Sequence, residues 1–175
     1  MKKRVLNKYS LIIAGLLFFS SCKKLTEFSV SDSAEFTVPA TTALGVPINN
    51  TTSVSTSSNL EFKTNGADAK NVKEIRLSNL KLTIVDPPSE DFSFLNSIHI
   101  YIQADGMPET EIAYLDNISS STGSVLDLVT TGAVLDDYIN KENYSLRIKT
   151  VTDETLIQDI VIRSDMTFRV QAKIL

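Results

Sequence analysis

Apolar residues recur at every other position through much of this chain, and that period leaves few folds open. In 97–104 (SIHIYIQA), Ile98, Ile100 and Ile102 fall on one side, with His99, Tyr101 and Gln103 on the other. Side chains alternate across a strand but repeat every 3.6 residues around a helix, so this segment reads as a β-strand with one face for a core. Segment 144–151 alternates in the same way. So does 167–174, where Phe168, Val170, Ala172 and Ile174 oppose Arg169, Gln171 and Lys173. From Val72 onward, Ile75 and Leu77 alternate with charged residues, Ser78-Asn79 breaks the phase, and Leu80, Leu82 and Ile84 resume it. A slip of one residue would turn every later side chain to the wrong face, so the break predicts a β-bulge. Asp86-Pro87-Pro88 then ends the strand, because proline has no N–H for a ladder.

The remaining segments extend the pattern. Phe28 and Val30, then Phe36 and Val38, predict one or two strands with Ser31-Asp32-Ser33 between them. A loop is expected around Pro47 and Asn49-Asn50, followed by a strand through Val54 to Phe62. Phe92, Phe94 and Leu95 form an apolar knot, and Asp105-Gly106 reads as a turn. Further strands are expected at 111–115, 124–129, 156–163 and 167–174, the last two as separate elements. Leu135, Tyr138 and Ile139 have helical spacing and predict a short helix over 134–141. Eight or nine short strands with one minor helix predict an all-β, antiparallel β-sandwich, immunoglobulin-like or related, with a closed barrel as the alternative. With the last strand reaching the end of the chain, loss of the tail should damage the fold.

The first 22 residues follow a different logic. Lys2, Lys3, Arg4 and Lys8 precede an apolar run, 11–19, that is far shorter than the ~20 residues of a membrane-spanning helix. The run stops at Ser20-Ser21-Cys22, small residues before the chain's single cysteine. Phe19-Ser20-Ser21-Cys22 resembles the lipobox of bacterial lipoproteins, with Phe19 where leucine is commoner. That resemblance implies a signal peptide at 1–21, lipid on Cys22, a tether over 22–27 and a single sandwich domain at 28–175. It implies a diacylglycerol thioether on Cys22, usually with a third acyl chain on the amine. At about 0.8 kcal/mol per buried methylene, two or more chains anchor stably. Lys23 and Lys24 follow the cysteine, without the aspartate of inner-membrane retention or the acidic patch of surface export. The expected location is therefore the outer membrane, facing the periplasm, with the cell surface as alternative. The whole precursor is similar to the small lipoproteins of Bacteroidota, through this lipobox, a Ser/Thr-rich stretch and segments such as SFLNSIHIYIQADGMPE. Asp32-Ser33-Ala34 is similar to the O-glycosylation signal of that phylum.

Composition narrows the chemistry. Residues 1–21 hold four of the 17 basic and none of the 21 acidic residues, so the 154 that follow carry a net charge of −8. That lacks the basic footprint of a nucleic-acid-binding protein. One cysteine cannot form an internal disulfide, and one histidine with no free cysteine cannot assemble a zinc site. His99 is the only candidate base for a Ser/His/Asp arrangement, has no accompanying motif, and reads as a sheet-surface residue. Asp86, Glu90, Asp91, Asp136-Asp137 and Asp153-Glu154 read as hydrophilic caps in turns. No calcium-loop motif, Gly-rich phosphate loop or dinucleotide fingerprint is present. Tyr101 beside His99, with Tyr114 and Tyr144, would make a modest platform for sugars, although tyrosines also suit half-buried strands. Asn50-Thr51-Thr52, Asn117-Ile118-Ser119 and Asn143-Tyr144-Ser145 fit the N-glycan sequon, which an exported bacterial protein leaves idle.

The expectation is a non-enzyme with no catalytic residue, cofactor or metal. Its partners would be a membrane, through the lipid on Cys22, and an envelope protein or glycan. Two rivals remain. A fimbrial subunit would assemble by strand exchange; in Bacteroidota such subunits are often matured at an N-terminal arginine, whereas here the first arginine after Cys22 is Arg76, inside a predicted strand. A carboxylate hydrolase acting on glycans would need two acids roughly 5–10 Å apart in a cleft.

Overall fold

The computed structural model describes residues 25–173, apart from 57 and 68. Cys22 and the segment before it lie outside the described residues. Nine strands are described: β1 (Leu25–Val38), β2 (Pro47–Ser55), β3 (Val72–Asp86), β4 (Leu95–Gln103), β5 (Thr110–Asp116), β6 (Val125–Asp127), β7 (Val129–Thr130), β8 (Asn143–Thr152) and β9 (Ile160–Lys173). Two short helices accompany them, α1 (Ser58–Thr64) and α2 (Asp136–Ile139). One sheet has the order β1-β9-β3-β6 and the other β2-β8-β4-β5-β7.

The pairing is nested. β1 lies antiparallel to β9, β2 to β8, β3 to β6 and β4 to β5, as though one long hairpin had been folded over on itself. That connectivity is a jelly roll, two Greek keys in two facing sheets, with β7 as a small addition to one edge. The expected antiparallel β-sandwich is present, and its strand order is this related one rather than the immunoglobulin arrangement.

The core is built by the alternation. Ile75, Leu77, Leu80, Leu82 and Ile84 of β3, Ile98, Ile100 and Ile102 of β4, and Phe168 and Val170 of β9 are all buried between the sheets. The bulge expected at Ser78-Asn79 is there, as a register shift between Leu77 and Asn79 against β9. It keeps Leu80 and Leu82 facing inward. β3 stops at Asp86, and the apolar knot forms a 3₁₀ turn, Phe92–Phe94, whose two rings are buried and stacked at 6.3 Å. The Asp91 carboxylate caps this turn by accepting from the Ser93 backbone N–H, and hydrogen bonding from the Ser93 side chain first, then from that N–H, holds its pKa below the ordinary carboxylate value.

Of the one or two strands expected by Val38, residues 25–38 form one, in which Asp32 points into the sandwich, 8% exposed, and continues the inward row of Val30 and Phe36. Three expectations need correction. Residues 160–173 are one strand, not two. Ser164 is fully buried there and donates to the Ala34 carbonyl, while Leu156 sits outside in a bridge with Thr41. The segment around Pro47 and Asn49-Asn50 is strand β2, and the strand expected through Val54 to Phe62 ends at Ser55 and gives way to α1. The 22–27 segment expected as tether has its last residues, 25–27, inside β1, paired with β9. The helix expected over 134–141 is α2, one turn docked on β3: Leu135 N–H donates to the Ile75 carbonyl, and the Asp136 carboxylate accepts from the Ile75 N–H at 2.6 Å.

Candidate functional site

The outward face of the β2-β8-β4-β5 sheet carries most of the polar chemistry the sequence singled out. Register places it in rows across the strands. One row is Asn49, Lys149, His99 and Tyr114; the next is Thr51, Arg147, Tyr101 and Glu111; a third is Ser53, Ser145 and Gln103. Residues directly opposite on one face sit about 5 Å apart at Cβ, close enough for every pair to touch.

His99 lies between two carboxylates. Its Nδ1 is 2.7 Å from Glu111 Oε1, and its Nε2 is 3.2 Å from Asp116 Oδ1. The ring also lies near-parallel to Tyr114, with centroids 6.0 Å apart, and to Tyr101 at 6.5 Å. In the adjacent row the Arg147 guanidinium sits 4.1 Å from the centre of the Tyr101 ring, a cation–π contact. Two of its nitrogens donate to Glu109 at 2.6 Å each, and a third reaches Asn49 Oδ1 at 2.8 Å. That bidentate pair raises the guanidinium pKa and, through the hydrogen bond first, lowers that of Glu109. Burial, and then the Glu111 charge, push the Tyr101 phenol upward. The network is half-exposed, so its ion pair contributes little. Arg147→Ala is expected to cost no more than about 1 kcal/mol at pH 7. Because the Glu109 pKa is depressed in the fold, that contribution is complete above about pH 4.3 and disappears as pH falls through the lowered value. Urea unfolding of both proteins at pH 7 and pH 3 checks this: the difference present at pH 7 should narrow at pH 3.

Of the expected sugar platform, Tyr101 and Tyr114 do lie side by side with His99. Tyr144 does not join them. It is 2% exposed between the sheets, and its hydroxyl donates to Asp32 Oδ2 at 3.1 Å. Parity carries that signal, since Tyr144 keeps step with the inward Leu146 and Ile148. The Arg147–Glu109 pair was not legible, because it depends on the pairing of β4 with β8 and on the approach to β5. Glu111 and Asp116, the acids that converge on His99, stand on an open sheet face. The turn acids are elsewhere: Asp91 and Asp136 cap backbone N–H groups, Glu90 accepts from Gln158, and Asp153 and Glu154 are exposed. Among the described residues no group of three His, Cys, Asp or Glu is placed to hold a metal ion. Asn50 of the first sequon points inward, with its amide nitrogen buried. Ser33, within Asp32-Ser33-Ala34, is exposed on β1.

A second feature lies at one end of the sandwich. The loops after β1 and β8 are stitched together by paired backbone bonds between Thr41 and Leu156, by Gly45 N–H to the Thr152 carbonyl, and by Ala40 N–H to Asp159 Oδ1. They expose Leu44 (50%), Val46 (53%) and Ile157 (90%). Exposed acids Asp153, Glu154 and Asp159 share the loop with Ile157. The opposite end is where β1 begins, and fourteen strand residues separate the two, about 45 Å at the usual rise.

No protein-family model matches the chain, and no curated protein matches it. Among solved structures it is similar to the decameric BFDV capsid protein, at 15% identity over 85% of this chain and 99% of that one, with a TM-score of 0.39. Desmodium yellow mottle tymovirus shares 13% identity over 100% of this chain and 97% of its own, with a TM-score of 0.30. The empty head of turnip yellow mosaic virus shares 11% over 100% and 92%, also at 0.30. Likeness at these levels adds nothing to the strand order. Among the described residues no helix is long and apolar enough to cross a membrane.

Proposed function

We infer that the protein is a non-catalytic binding module of the cell envelope, tethered to the outer membrane by lipid on Cys22 and facing the periplasm. The observation that carries the reading is the placement of the two ends of β1. It starts three positions after Cys22 and ends at the loop tip that exposes Leu44, Val46 and Ile157. A tether at one end and an apolar tip at the other would hold a contact surface tens of ångströms from the bilayer. Isolated exposed apolar residues are ordinary, but two loops locked together around an almost fully exposed isoleucine favour a contact surface. The acids in the same loop favour a protein partner whose apolar socket has a basic rim, and disfavour an anionic lipid surface.

Intact mass and membrane fractionation of the wild type beside Cys22→Ala test the tether. The wild type should carry the lipid mass and stay with the outer membrane, and the variant should be released. An unlipidated, soluble wild type overturns the tether. A photo-crosslinker at position 157 should give one discrete adduct in producing cells, while one at exposed Ser78 gives none. Equal adducts from both positions overturn the tip as contact surface.

A further inference from the structure

We propose that the open cleft beside the Arg147 network is a binding site for a neutral, hydroxyl-rich ligand, a mono- or disaccharide. The cleft encloses about 360 Å³, within the ~300–1,000 Å³ range of small-molecule sites. Its floor is the third row of the sheet face, Ser53, Ser145 and Gln103, three neutral side chains in register on adjacent strands. Its wall is the turn after β4, where the Met107 N–H donates back to the Ala104 carbonyl and Gly106, at φ +74°, reverses the chain. That turn stands Asp105 over the row, and Asn143 faces it at the start of β8.

The division of labour along the face carries the proposal. Arg147 is paired with Glu109, and His99 with Glu111, so that half is closed on itself. In the cleft the side chains of Ser53, Gln103 and Asp105 engage no other described residue. The free groups comprise the Ser53 hydroxyl and the Gln103 amide, which both donate and accept, and the Asp105 carboxylate, which only accepts, while the Ser145 hydroxyl donates to the Gln103 carbonyl at 3.4 Å. Such a set matches sugar hydroxyls, which need donors and acceptors in alternation. With no lysine or arginine in the lining and one carboxylate, the cleft disfavours phosphate and uronate. Met107 and Ala104 offer only a small apolar surface, suited to the C–H face of a sugar ring and too small for a lipid chain. The site does not depend on the tether, so it stands or falls separately from lipidation.

Saturation-transfer NMR tests it, on the full chain in a detergent without a sugar headgroup. The probes are glucose, galactose, mannose, N-acetylglucosamine and their β-linked disaccharides, with glucuronate and inorganic phosphate as anionic controls. At least one neutral sugar should saturate the protein, and Gln103→Ala and Asp105→Ala should each weaken it about tenfold. Both side chains are exposed, so the thermal transition should stay in place. Arg147→Ala should leave sugar affinity within about twofold. Absence of saturation by every neutral sugar up to about 10 mM overturns the proposal, since weaker binding falls below ordinary specific recognition. So does binding unchanged in both cleft variants, or binding of the anions as tight as that of the sugars.

Discussion

A chain ending at Asp159 is expected to show no cooperative unfolding transition in urea, a far-UV spectrum of unfolded protein and rapid proteolysis. The missing element, β9, is not an edge strand. It lies between β1 and β3 and pairs with both along nearly its whole length, so its loss strips the first sheet of its centre. It also removes Ile160, Ile162, Met166, Phe168, Val170 and Ala172, all buried, from one wall of the core. A domain of this size is stable by only about 5–15 kcal/mol, and no local repair replaces a central strand. A graded version is Phe168→Ala, expected to cost about 3–5 kcal/mol from the cavity it leaves. Ile157→Ala, three positions before the strand and 90% exposed, should change stability by less than about 0.5 kcal/mol. A truncated chain that still melted cooperatively as a β-protein would contradict the nested pairing of first strand with last.

What the sequence disclosed about this fold, and what it hid, depend on whether inward positions are apolar. β3 and β4 were the most legible, although β4 was expected over 97–104 and runs over Leu95–Gln103. Their inward rows are mostly leucine and isoleucine, and even the bulge at Ser78-Asn79 shows as a one-position slip. β9 was split, and β1 left open as one strand or two, because each has a polar residue on its inward row. Asp32 is held there by the Tyr144 hydroxyl, and Ser164 by the Ala34 carbonyl. The two lie on neighbouring strands, with Ala34 opposite Ser164, so a single polar seam between paired strands concealed both elements. β2 was hidden differently. Its outward residues are Pro47, Asn49, Thr51, Ser53 and Ser55, and its inward row includes Asn50 and Thr52, so no apolar contrast marks it. It is an edge strand, and edges tolerate such composition.

The surface chemistry was legible only within single strands. That His99 and Tyr101 share the outward face follows from parity alone. Which groups they meet does not, because Glu111, Asp116 and Arg147 arrive from β5 and β8. The β4–β5 register even shifts between Ile100 and Tyr101, so the offset of Glu111 from Tyr114 is not a simple count. The cleft is a step more remote, since its row of Ser53, Ser145 and Gln103 exists only when three strands are aligned. Nothing in three serine or glutamine positions announces it.

Tyr144→Phe is expected to lower stability by about 2 kcal/mol at pH 8, and by progressively less as pH rises. The hydroxyl sits in the buried polar seam, donating to Asp32 Oδ2 at 3.1 Å, with Met166 Sδ 3.9 Å away. A hydrogen bond to a carboxylate contributes about 1.5–3 kcal/mol, and removing the donor leaves the buried acceptor a bond short. The pH dependence follows from the same surroundings. Burial first, then the Asp32 charge and the bond to it, raise the Tyr144 pKa far above its ordinary value, so the folded protein keeps the hydroxyl protonated in alkali. In the unfolded chain the phenol ionises above about pH 10. The unfolded state then binds fewer protons than the folded one, and stability falls by up to about 1.4 kcal/mol per pH unit from this residue. The contribution of Tyr144 is therefore complete below pH 10 and declines above it. Phenylalanine has no proton to lose, so the variant lacks this part of the alkaline limb, and the two stability curves should converge by about pH 11–12. Urea unfolding at pH 8, 10 and 11 measures the gap. Parallel curves across that range would mean that the hydroxyl is not held against Asp32 inside the sandwich, and that the seam between β1 and β8 is wet.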